Sequence, residues 1–76
     1  MEEKIFASDH LYLTAFLKCC GHAIVGSSRN GARISFEFQE TPDLLGDVAR
    51  FMSDAPIPAR PFSFELLKLK RTIHGG

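Results

Sequence analysis

The dipeptide Asn30-Gly31 sits between two segments of alternating character, His22 to Ser28 and Ala32 to Glu40, and it constrains this chain more than any other feature. Both residues tolerate positive φ, so the pattern predicts two antiparallel strands joined by a two-residue type I′ turn. With Arg29 opposite Ala32, the pairs run Ser27 to Ile34, Val25 to Phe36 and Ala23 to Phe38. One face of the hairpin then carries Ala23, Val25, Ile34, Phe36 and Phe38 toward a core. The other holds His22, Ile24, Arg33, Ser35, Glu37 and Gln39, with Ile24 as its one large apolar residue.

A hairpin alone is weakly stable, so its apolar face needs cover. The flanking segments supply it with helical periodicity. Ser8-Asp9 offers an N-cap, and from Asp9 to Cys20 the polar residues His10, Thr14 and Lys18 recur every four positions. Leu13, Phe16, Leu17 and Cys20 form the opposing stripe, widened by Tyr12, Ala15 and Cys19, and Gly21 supplies a left-handed helix end.

Thr41-Pro42-Asp43 caps a second helix that runs to about Asp54. Its spacing turns Leu44, Leu45, Val48, Phe51 and Met52 inward, and Asp43, Asp47, Arg50 and Asp54 to water. Pro56, Pro58 and Pro61 break the pattern before a third helix with Phe62, Leu66, Leu69 and Ile73 on one line. Lys4 to Ala7 is β-prone and reads as a third edge strand. The expected architecture is a single small α+β domain over residues 1–76, order (β)-α-β-β-α-α, with helices on one face of a hairpin or three-stranded sheet and residues 1–3 and 75–76 frayed.

A chain of 76 residues at 8.5 kDa has room for one core, with stability on the order of 4–11 kcal/mol. All seven Phe, residues 6, 16, 36, 38, 51, 62 and 64, are therefore core candidates before they are binding residues. Nine basic residues balance nine acidic ones, which excludes an overall positive field. The charge is segregated, however. Residues 60–76 carry Arg60, Lys68, Lys70 and Arg71 against Glu65 alone, whereas residues 37–54 carry five carboxylates against Arg50 alone.

Adjacent Cys19 and Cys20 do not suit a structural disulfide, the start Met1-Glu2-Glu3-Lys4 is acidic, and no apolar run is long enough to span a bilayer. These features read as a reduced, cytoplasmic protein without membrane attachment. Cys19, Cys20 and His22 diverge too far on a helix to share a metal, so no metal or cofactor is expected. Gly26 and Gly31 match no phosphate-binding pattern. His10, His22 and His74 lack an evident carboxylate and nucleophile pairing, so no catalytic residue is assigned.

Ser8-Asp9, Leu11, Leu13, Ala15 and Leu17, then Gly21-His22, Gly26, Asn30-Gly31 and Phe36-x-Phe38, with Leu69-Lys70-Arg71 near the end, resemble a family of small uncharacterised bacterial and phage-associated proteins. The resemblance spans most of the chain, rests on largely structural signals and implies no activity.

The functional expectation is a non-enzymatic module acting through protein contacts, as a homo-oligomer or accessory factor, with His22, Ile24, Arg33 and Glu37 as the partner surface. The alternative is a nucleic-acid binder that uses Arg29 and Arg33 at the hairpin tip and Lys68, Lys70 and Arg71 on the third helix.

Overall fold

The computed structural model describes residues 4–74, and for His74 the backbone alone. The expected fraying of residues 1–3 and 75–76, and the reading of the His74 side chain, lie outside the described residues. The elements are β1 (Ile5–Ser8), α1 (Leu11–Cys19), β2 (Ile24–Asn30), β3 (Arg33–Gln39), α2 (Pro42–Met52) and α3 (Ala59–His74). The strands form one antiparallel sheet in the order β1-β3-β2. This is the α+β domain and the element order that the sequence predicts.

Helix α1 is capped differently from the expectation. Its N-cap is His10, whose Nδ1 accepts from the Leu13 amide at 3.2 Å, while Ser8 ends β1 buried and its Oγ accepts from the His10 amide at 3.1 Å. Thr14 faces the interior rather than water, because its hydroxyl donates to the His10 carbonyl one turn back, at 2.9 Å. At the other end Gly21 takes φ +97°, as predicted. Its amide donates to the Lys18 carbonyl and that of His22 to the Leu17 carbonyl, each at 3.1 Å. These two bonds make the Schellman closure.

Strand β3 is central and supplies Phe36 and Phe38 to the core, with Phe6 opposite Phe38 and Ser8 opposite Phe36. The hairpin register differs from the prediction in two ways. The turn residues are Gly31, at φ +67°, and Ala32, so Asn30 pairs with Arg33 and Ser27 with Phe36. A glycine at the first central position is the type II′ requirement, and it competes with the Asn-Gly placement of type I′. The register also shifts between Ile24 and Gly26, a bulge that leaves Val25 without a partner. The bulge reverses which side chains of β2 face the helices. Ile24, opposite Phe38, packs against the core, while Ala23 and Val25, expected there, are exposed.

The three helices cover one sheet face, in a molecule of 35 × 32 × 17 Å whose short dimension suits one sheet layer and one helix layer. Helix α1 packs on both α2 and α3. Leu13, Ala15 and Leu17 of α1 meet Phe36, Phe38, Leu44 and Leu69 in the core, and Phe16 is buried against Phe51. Thr41 caps α2 as predicted, its hydroxyl accepting from the Leu44 amide at 3.1 Å with Pro42 in the first turn. Leu45 and Met52 depart from the expectation and are exposed, because only the 44-48-51 line of α2 turns toward the core. Cys20 and Tyr12 are exposed as well, although the Tyr12 ring stacks on Phe62 of α3 with centroids 6.2 Å apart.

Candidate functional site

Two groupings stand out from the fold. The first is a polar cluster where the end of α1 meets α2. The Schellman closure sets the backbone of His22 beside α2, and its Nε2 lies 2.7 Å from Asp47 Oδ2. Both side chains are only 18% exposed. The Arg50 guanidinium donates to Asp47 Oδ1 at 2.9 Å and lies 5.9 Å from the centre of the Phe16 ring. Hydrogen bonding from His22, with Arg50 adding to it, holds the Asp47 carboxyl below its usual range despite partial burial. An ionised carboxylate only accepts, so Nε2 of His22 carries the proton.

This pairing corrects two readings from sequence. Asp47 does not face water, and His22 does have a carboxylate partner, which comes from the next helix rather than from nearby in the chain. The cluster still lacks an activated nucleophile. Burial, then the Asp47 charge, raises the Cys20 thiol, while burial and Glu65 raise that of Cys19. Both are held as thiols, and the thiolate is the reactive form. Among the described residues no group of three or more His, Cys, Asp and Glu is placed to hold a metal.

The second grouping is the outward face of α3. Phe62, Leu66, Leu69 and Ile73 turn inward as predicted. At 100° per residue, the line Arg60, Phe64, Leu67, Arg71 then runs down the opposite side. Phe64 is 65% exposed and Leu67 55%. With Ala59, Arg60 and Ser63 they form one continuous, solvent-open patch on α3. Phe64 is thus the one phenylalanine left largely in water: Phe16, Phe36 and Phe38 are buried, and Phe6, Phe51 and Phe62 are half-buried.

The four residues expected to form a partner surface do not share a face. His22 is engaged with Asp47, and Ile24 faces the core. Arg33 and Glu37 do lie on the open sheet face, where Ile5 and Val25 rather than Ile24 are the large exposed apolar residues. Glu37 folds over Gly26, where an added Cβ would stand 2.5 Å from its Oε1. Arg33 donates to Asp9 at 3.0 Å, tying the hairpin to the start of α1. Of the residues weighed for nucleic acid, Arg29, Lys70 and Arg71 are exposed, and Lys68 lies 3.7 Å from Glu65. Sequence reasoning missed Phe64 and Leu67 as surface residues, although the inward line it identified already assigned them to the far side of α3.

No helix among the described residues is long and apolar enough to cross a membrane. Comparison with protein-family models, curated proteins and solved structures gives no match.

Proposed function

We propose that this chain is a non-enzymatic protein-interaction module and that it works through the outward face of α3. The observation that carries this reading is the pair Phe64 and Leu67, both more than half exposed within one open apolar patch on α3. Covering a phenylalanine or leucine side chain contributes about 1.5–3 kcal/mol when burial is complete, so the face gains most from a partner that desolvates it. The polar cluster at His22 supports a structural role instead, since the nearby Cys20 thiol is pushed toward its protonated form and the Asp47 carboxylate is occupied by two partners.

Nucleic-acid binding is the second reading, and the exposed Arg29, Lys70 and Arg71 favour it. It has less support, because Arg33 and Lys68 are already engaged with Asp9 and Glu65.

A photo-crosslinking phenylalanine analogue placed at position 64, in the native host, tests the first reading. The expected result is a discrete protein adduct that the same analogue at Ser28 on the hairpin does not give, and that Leu67→Ser removes. Equal adducts from both positions, or crosslinks to nucleic acid alone, would refute it.

A further inference from the structure

The outward line of α3 has an order that specifies more than an apolar contact. Arg60, Phe64, Leu67 and Arg71 follow the spacing i, i+4, i+7, i+11, so two apolar side chains are bracketed by two guanidinium groups about one turn away on either side. Arg60 and Arg71 are exposed and have no ion pair among the described residues. The single acidic residue of the helix, Glu65, is turned toward α1, where it raises the Cys19 thiol, and the cation beside it is Lys68 at 3.7 Å. The stripe is thus cationic at both ends and apolar in the middle.

We infer, resting on the proposed interaction role, that the occupant of this face is an acidic amphipathic helix of another protein. It carries carboxylates one turn either side of an apolar pair. Such a helix laid along α3 covers Phe64 and Leu67 and brings a carboxylate to each arginine, the arrangement that gives both desolvation and register.

The charge order disfavours a self-paired α3, a lipid surface and a phosphate backbone as the occupant. A second copy packed α3 against α3 about a two-fold axis sets Arg60 of each chain against Arg71 of the other, and like charges in register repel. An anionic lipid surface takes up the arginines, but a helix bound in the interface buries a wide apolar face, and the inner line of α3 is already committed to the core. A phosphate backbone pairs with the arginines and leaves Phe64 and Leu67 wet.

The test uses the full chain and a synthetic helical peptide bearing Glu-Leu-Leu-Glu at i, i+4, i+7 and i+11. Its counterparts are the same peptide with Lys for Glu, phosphatidylserine vesicles and a DNA duplex. The acidic peptide is expected to bind at least about tenfold tighter than the basic one and to shift the amide resonances of residues 60–71. The double variant Arg60→Glu, Arg71→Glu, checked for unchanged melting temperature, should reverse that preference. Equal affinity for the two peptides, loss of preference without reversal, resonance shifts confined to other elements, or tighter binding to vesicles or DNA overturns the inference. A crosslinked protein at position 64 whose capture is insensitive to the arginine reversal also overturns it, while leaving the interaction role intact.

Discussion

The Asp47 carboxylate accepts from His22 and from Arg50, and both bonds favour its ionised form. Its pKa is therefore lower in the folded chain than in the unfolded one, where it stays near 3.8. A group lowered in this way stabilises the fold fully above the unfolded value, and the contribution disappears as pH falls through the folded value. Replacing Asp47 with Asn should cost about 1–3 kcal/mol at neutral pH, the range for a hydrogen bond to a charged group in a mostly buried setting. Urea titrations across pH should show the gap between the two proteins closing as pH falls below the unfolded value of 3.8. A gap that persists unchanged into acid would mean that the charge of Asp47 contributes nothing. None of this pairing was legible in the sequence: Asp47 stands on the margin of the apolar stripe of α2, and its partner lies across a hairpin. The local half was legible, since Gly21 announces the helix end that places His22.

At the scale of elements, α3 has one face in the core and one in water, and the two should respond differently to the same truncation. Leu69→Ala removes a buried side chain and should cost about 2–5 kcal/mol. Leu67→Ala should change stability by no more than about 0.5 kcal/mol, since it removes an exposed side chain and alanine is an excellent helix former. Thermal melts of the two variants compare them directly, and similar losses would contradict the assignment of faces. The spacing of 62, 66, 69 and 73 made the inner face readable, as did the caps at Thr41 and Gly21. The bulge at Val25 was not, because it depends on which side chain of β2 packs over Phe38, a contact between strands that alternation within one strand cannot report. The outer face of α3 was readable but was masked by a compositional argument: in so small a chain every Phe looks indispensable to the core.

At the scale of the whole molecule, eight apolar residues make up the buried core among the described residues, so little stability is held in reserve. The layout also separates neighbours in space from neighbours in sequence. Strand β3 pairs on one side with β2, joined to it by a tight turn, and on the other with β1, from which a helix and a strand divide it. Closing the short loop costs far less chain entropy than closing the long one. The chain should therefore acquire the β2–β3 pairing before the rate-limiting barrier and the β1–β3 pairing after it. Stopped-flow kinetics can separate these events: Phe6→Leu in β1 should chiefly speed unfolding, and Ile34→Val in β3 should chiefly slow folding. The opposite pattern would mean that β1 and β3, neighbours in the sheet but distant in the chain, meet first. Because β1 forms one edge of the sheet and docks last, its release opens the flank of β3 while the hairpin stays paired. In slow hydrogen exchange, the amides that bond β1 to β3 should lose protection together, at a free energy below that of global unfolding.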